Sequence, residues 1–257
     1  MPPPNLSIVQ VGTLGVDGDG IYRREEPAVA LAGLDGVEVY DVHYLSRWRD
    51  AAALAADVLV VYLTIDIELF SVVHLRRRLG KATFCEINDY FLEVPAWNPV
   101  HASWSNPRHQ NVLINLMARS DAVQVSSPPL AEHFRRYNGQ IHVLPNHIAN
   151  LQPPRPPSAA AAVVVGWGGS AGHLKDIERL APVLTNWVTA HPTVHLAIMG
   201  DPHYATLFAG VPRERFRFEP GAPLADYLRF VRTLDIGIGP LLPTEYNRCR
   251  SDVKFLE

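Results

Sequence analysis

Apolar runs alternate with helical spacings along most of the chain. Residues 6–11 form a short apolar run that ends in the loop GTLGVDGDG, and helical spacing follows over 22–31, which predicts a first strand–helix unit. Residues 37–42 predict the next strand, and Leu45, Trp48 and Ala52 or Ala53 then fall on one side of a helix. The stretch 57–63, with VLVVYL in its body, is apolar on both faces, as a central parallel strand must be. A helix over 68–79, a strand over 82–87, the irregular loop NDYFLEVPAWNP, a helix over 106–118, a strand over 122–125, a helix begun at Pro128 or Pro129 and a strand over 141–144 complete this half. Strands alternating with helices predict a parallel sheet covered on both faces.

The segment LQPPRPPS, residues 151–158, interrupts the alternation. Proline lacks the N–H that a sheet interior needs and stiffens an extended backbone, so this reads as a connector over 151–160. It separates a first lobe, 1–150, from a second, 161–257. The second lobe reads as a strand over 162–165, a helix over 174–190, a strand over 195–199, a short helix near Tyr204, a strand over 216–218, a helix over 224–233 and a strand over 236–238. The expected class is therefore α/β with two Rossmann-like lobes. The last residues, NRCRSDVKFLE, run into what reads as a new helix with no capping glycine or polar tail, so further chain is expected and the second lobe reads as incomplete.

Composition narrows the function classes. A net charge of -3 with scattered lysines and arginines gives no electrostatic reason to expect a nucleic-acid partner. The one basic run, Arg76 to Arg78, reads as a helix C-terminus before Gly80. Cys85 and Cys249 form no CxxC pair, so neither a zinc site nor a disulfide framework is expected, and a reducing cytoplasm is the expected setting. The N-terminus MPPPNLS lacks a basic region followed by an apolar core, and the longest apolar stretch, 51–65, is broken by Asp57; neither secretion nor a spanning helix is expected.

The densest chemical signal is VVVGWGGSAGHLKD, residues 163–176, an apolar run followed by four glycines within seven residues and a helix start. It reads as a strand, a tight turn and a helix N-terminus, whose free N–H groups and positive dipole end favour a phosphate. Ser170, His173 and Lys175 lie on this stretch as further donor-side candidates. Gly166, Gly168 and Ala171 also satisfy the dinucleotide pattern, with Asp201 after the following strand as the ribose acid, so an NAD-type oxidoreductase stays open. The second constellation is YNRCRSDVKFLE, residues 246–257. Carboxyl ends of parallel strands face one crevice, so Asn247, Arg248, Ser251 and Lys254 would bring donors and positive charge to a phosphate seated at the glycine loop. Ser251 and Asp252 are a good cap for the terminal helix.

The string DIGIGPLLPTEYNRCRSDVKFLE resembles the donor-binding segment of retaining GT-B glycosyltransferases of the family 4-like group, where a strand and a proline-containing loop precede a Lys-x-x-Glu helix. VVVGWGGSAGHLKD resembles the opening of that family's second lobe; GDGIYRREEPAVAL, EINDYFLEVPAWNP and SDAVQVSSPPLAEHFRRYNGQIHVLPNHI resemble successive parts of its first. The likeness covers almost the whole chain. It implies that Glu257 hydrogen-bonds the ribose hydroxyls of a nucleotide sugar, that Lys254 faces the diphosphate and that Gly168 and Gly169 lie close to the phosphates or the transferred sugar. It also implies transfer with retention. One departure stands out: the family's Glu-x7-Glu pair would put its first glutamate at position 249, where this chain has Cys249, leaving Asn247 and Arg248 as substitutes for sugar contact.

Glycosyl transfer develops negative charge on the leaving diphosphate, which fixed N–H dipoles and cations such as Lys254 and Arg248 would meet without a metal. Asp17 and Asp19 formally match the Asp-x-Asp pair of metal-dependent transferases, but they sit among glycines in the first loop and read as a flexible turn. Tyr22 and Arg23 open the first helix and Glu86, Asn88 and Asp89 end a strand; these are the acceptor-side candidates, with Asp89 orienting a hydroxyl. The sequence thus predicts a metal-independent glycosyltransferase with no resident cofactor, taking a nucleotide-sugar and a glycan or other hydroxyl acceptor. A non-catalytic nucleotide-binding or interaction module is the remaining alternative.

Overall fold

The computed structural model describes residues 6–13, 18–149 and 162–257; the connector 151–160 and Asp17 lie outside the described residues. The chain forms two compact units, each drawn from three segments. The first takes residues 1–94, 103–149 and 248–253, and the second takes 95–102, 150–247 and 254–257.

The first unit is built on a six-stranded sheet in the order β2-β1-β3-β4-β5-β6. Its strands are β1 (Leu6–Gly12), β2 (Val37–His43), β3 (Val58–Tyr62), β4 (Ala82–Ile87), β5 (Ala122–Val125) and β6 (Ile141–Val143), every pair parallel. Proline and capping residues place the helices where they start. Asn106 accepts from Arg108 N and Pro107 opens the Pro107–Arg119 helix, while Ser127 caps Pro128–Phe134 in the same way. Strand order reverses between β1 and β3, and open α/β sheets bind ligands at such a point, beyond the carboxyl ends of the strands.

One expectation needs correction here. The helix expected from Leu45 starts only at Arg49, as Arg49–Ala55. Leu45 and Trp48 do not face a core but stand 72% and 63% exposed, because the buried Arg49 holds the preceding loop down through Tyr44 O, Asp66 and Glu68. The run Arg76 to Arg78 does close the Leu69–Arg78 helix before Gly80, and Arg76 within it is fully buried. Its guanidinium donates to the carbonyls of Ala53, Ala56, Asp57 and Ala82 and to Thr83 Oγ1, so it serves the helix end and loop of neighbouring elements. Burial lowers its pKa, with Asp121 and Asp57 acting against that.

The second unit carries a four-stranded parallel sheet in the order β10-β7-β8-β9. Its strands are β7 (Val163–Gly168), β8 (Val194–Gly200), β9 (Phe216–Pro220) and β10 (Ile236–Gly237). Side chains alternate across it with period 2. Val165, Trp167, Leu196 and Ile198 point to one face, where the Leu174–Ala190 helix lays down Ile177, Ala181, Leu184 and Val188. Val164, Ala197 and Met199 point to the other, against Tyr227, Phe230, Val231 and Leu234.

That alternation explains the glycines differently from the expected tight turn. Gly166 and Gly168 belong to β7, on the face covered by the Leu224–Val231 helix and the turn after it. A Cβ on Gly166 would fall 2.4 Å from a Leu234 methyl and 2.5 Å from Ala197 O. A Cβ on Gly168 would fall 2.7 Å from the Tyr227 ring. These two glycines let a helix lie close on the strand.

Candidate functional site

In the second unit, β7 ends at Gly168, beside the reversal of strand order between β7 and β10. Lys254 comes to this strand end from the terminal helix Val253–Leu256: its Nζ donates to Gly168 O at 2.7 Å and to the Tyr227 hydroxyl at 3.2 Å. The ammonium also lies 5.1 Å from the Tyr227 ring centroid and 5.8 Å from that of Trp167, within range of cation–π attraction. Tyr227 in turn donates to Glu257 Oε2 at 2.6 Å. Gly168, Lys254 and Glu257 are therefore one assembly, with Tyr227 as its joint.

Past Gly169, a 3-10 turn at Ala171–His173 leads into the 17-residue Leu174–Ala190 helix, whose N-terminus can receive an anion. His173 and Asp176 are both buried here, with His173 Nδ1 3.0 Å from Asp176 Oδ2. An ionised carboxylate only accepts, so Nδ1 carries the proton. The other oxygen, Oδ1, accepts from Leu242 N at 2.8 Å and Asn247 Nδ2 at 2.9 Å, and Asn247 also donates to Leu242 O. Burial works to raise the Asp176 pKa, but the His173, Leu242 and Asn247 hydrogen bonds outweigh it and hold the carboxyl below the usual range. Asp176 thus ties the loop after β10 to the start of the helix. The T-shaped packing of His173 on Trp167, with centroids 5.7 Å apart, fixes the same turn from beneath. Of the remaining donor-side candidates, Gly169 lies against the Trp167 indole, Ser170 O accepts from Tyr204 at 2.7 Å, and Lys175 pairs along its helix with Glu178. Asp201, the ribose acid of the dinucleotide reading, accepts from His203 N at the start of the His203–Leu207 helix.

In the first unit, the helical run that follows β1 contains a π segment, Ile21–Glu25, and such segments are frequent at functional sites. Tyr22 and Arg23 are buried on it. Arg23 Nε donates to Glu86 Oε1 at 2.8 Å, and its Nη1 reaches Leu144 O and Asn146 Oδ1, so one guanidinium joins the carboxyl ends of β4 and β6. Burial drives the Glu86 carboxyl up to about 7, with the Arg23 charge and hydrogen bond opposing the rise. Asn146 Nδ2 then donates to Ser251 Oγ at 2.9 Å. Asn88 is buried, its carbonyl accepts from Ser126, and its side-chain Oδ1 has no hydrogen-bond partner among the described residues. Asp89 beside it is half-buried. Leu63, just past β3, has φ 30, a left-handed conformation that is uncommon for a non-glycine residue and costs free energy.

Segment 248–253 belongs to this unit and divides the expected donor cluster. Arg248 Nη2 lies 3.6 Å from Glu132 Oε2, and Ser251 is held by Asn146, while Asn247, Lys254 and Glu257 are in the second unit. Cys249 is fully buried, and its carbonyl accepts from Ser127 Oγ at 2.7 Å. A glutamate at this position would have to bury its charge, which accounts for a thiol there.

No protein-family model matches the chain, and no curated protein sequence matches it. Solved structures do. The putative UDP-N-acetylglucosamine 2-epimerase from Listeria monocytogenes matches over 91% of this chain and 73% of its own, with a TM-score of 0.58 at 11% identity. The S. aureus MnaA–UDP co-structure matches over 90% and 73%, with a TM-score of 0.52 at 10% identity. A mutant O-GlcNAc transferase from Thermobaculum terrenum matches over 94% and 49%, with a TM-score of 0.50 at 16% identity. The fold is GT-B-like.

Three residues of this GT-B-like chain escape a sequence reading. Tyr227 carries no local mark of its partnership with residues 27 and 30 positions away. Asn146 meets Arg23 across 123 residues. Asp176 alone had a signal, since the i, i+3 spacing from His173 at a helix start is that of a capping pair. Among the described residues, no helix is long and apolar enough to cross a membrane.

Proposed function

We propose that the chain is a glycosyltransferase that takes its sugar from a nucleoside-diphosphate donor held by the second unit and passes it to a hydroxyl acceptor, a glycan or another alcohol, held by the first. The observation that carries this is the Lys254 ammonium at the carboxyl end of β7, hydrogen-bonded to Gly168 O and joined through Tyr227 to Glu257. A cation and a carboxylate, held in one assembly at a strand end, suit a diphosphate and the ribose hydroxyls of one ligand. As the bond to the anomeric carbon breaks, charge accumulates on the leaving diphosphate; Lys254 and the N–H groups at the start of the Leu174–Ala190 helix meet it in place. Retention at the anomeric carbon, independence of a divalent ion and the absence of a resident cofactor belong to the same proposal. Turnover unchanged by EDTA and NMR of the product anomer test them. In the first unit, Asp89 orients the acceptor hydroxyl, while the buried Arg23 and Glu86 shape the loops around it. A reducing compartment belongs to the same proposal; Cys85 and Cys249 are both buried.

The dinucleotide reading is disfavoured by two features. Gly166 is a strand residue packed under Leu234 rather than part of a phosphate-binding turn, and the Asp201 carboxylate accepts from His203 N. Calorimetric titration with UDP, GDP, ADP and NAD separates the readings. Binding of a nucleoside diphosphate is expected; binding of NAD alone would refute the transferase, and diphosphate binding without turnover on any hydroxyl acceptor would leave a non-catalytic module.

A further inference from the structure

The Tyr227 hydroxyl stands between two groups that the proposed donor site gives to opposite parts of one ligand. It accepts from Lys254 at 3.2 Å and donates to Glu257 at 2.6 Å, which a phenol does at once with one proton and its lone pairs. Both hydrogen bonds are charge-assisted, and each polarises the hydroxyl in the sense that strengthens the other. Packing holds the ring in this position. It lies so close on Gly168 that a Cβ there would sit 2.7 Å from Tyr227 Cε2, and it packs with the Ala197, Met199 and Phe230 cluster.

Resting on the nucleotide-sugar reading, we infer that Tyr227 is a specificity-determining positioning residue: its hydroxyl couples the diphosphate-side cation to the ribose-side carboxylate, so that the site selects ligands carrying both groups. Filling the Lys254 side orders Glu257 through the hydroxyl, and filling the Glu257 side orders Lys254. A nucleoside or a pyrophosphate engages one end and gains nothing from the link; a nucleoside diphosphate engages both. The coupling is reciprocal, as any linkage between two binding interactions must be.

Calorimetry on the full chain tests this with UDP, GDP and ADP as diphosphates, the matching nucleosides, and pyrophosphate. Tyr227→Phe keeps the ring on Gly168 and removes the hydroxyl. It should weaken the diphosphate that binds wild type best by about tenfold, with smaller losses for the nucleoside and for pyrophosphate. Lys254→Met should cost less in the Tyr227→Phe background than in wild type, whereas a residue that merely supports the fold would give losses that multiply. Glu257→Gln, which leaves the tyrosine in place, should weaken the diphosphate by a larger factor than the nucleoside and leave pyrophosphate unchanged. Diphosphate binding unchanged in Tyr227→Phe, equal losses for all three ligand types, or multiplicative losses would each overturn the inference while leaving the donor site standing. Failure of wild type to bind any nucleoside diphosphate would remove the site itself and the inference with it.

Discussion

Two buried carboxylates give this protein opposite responses to pH, and both follow from what surrounds them. Glu86 is held by Arg23, yet burial dominates and lifts its pKa from 4.5 to about 7. Between those values the folded state binds more protons than the unfolded one, so this group's contribution falls as pH rises through that window. Asp176 is shifted down by His173, Leu242 and Asn247 against the effect of burial, so its contribution is present above the ordinary aspartate range and is lost as pH falls below it. Urea titrations should therefore show wild type losing stability relative to Glu86→Gln as pH rises from about 5 to 7; a constant difference would contradict the assignment. Asp176→Ala leaves Leu242 N and His173 Nδ1 without their acceptor, while Asn247 Nδ2 keeps Leu242 O, and should cost roughly 1–3 kcal/mol for each group left unsatisfied in the same assay. A loss below about 0.5 kcal/mol would mean that the loop after β10 is held by other contacts.

At the scale of elements, apolar pattern proved a faithful guide wherever a segment's own composition decides its fate. The inner strands β3, VLVVY, and β7, VVVGWG, are continuous apolar runs, the edge strands β2, VEVYDVH, and β9, FRFEP, alternate apolar with polar residues, and the Leu174–Ala190 helix falls on the residues its spacing predicts, Pro182 included. Pattern failed where a distant partner decides. Leu45 and Trp48 fit a helical face, but Arg49 anchors their loop to Asp66 and Glu68 and the helix begins after them. Four glycines after an apolar run read as a turn, since nothing local distinguishes a turn glycine from a strand glycine on which a helix rests. Packing makes the distinction testable. Gly166→Ala drives a methyl into Ala197 O and Leu234 and should destabilise the protein by about 1–3 kcal/mol, read from the denaturation midpoint. Retention of wild-type stability would restore the view that Gly166 serves a ligand. Gly168→Ala meets a ring edge that can tilt, so its stability loss should be smaller, while its effect on nucleotide affinity, exerted through Tyr227, should be larger.

Across the whole molecule, two parallel sheets were legible in the alternation of strands and helices, and the GT-B-like likeness agrees with that reading; the strand order was not. The candidate site was legible in part. Lys254, Glu257 and the helix after Gly169 were visible as residue types at the ends of predicted elements, whereas Tyr227, which joins the first two, emerges only when the Leu224–Val231 helix is laid on β7. The division of residues 247–257 between the two units was likewise invisible, because it rests on Ser127 reaching Cys249 and Asn146 reaching Ser251 over more than a hundred residues. In the proposed function Lys254 is the diphosphate cation of a sugar-nucleotide site. Calorimetry of wild type and Lys254→Ala with UDP, GDP and ADP beside their nucleosides tests it most directly. The account predicts that one diphosphate binds wild type and weakens by about tenfold or more in the variant, with the nucleoside changing far less; equal losses for diphosphate and nucleoside, or no diphosphate binding by wild type, would contradict it.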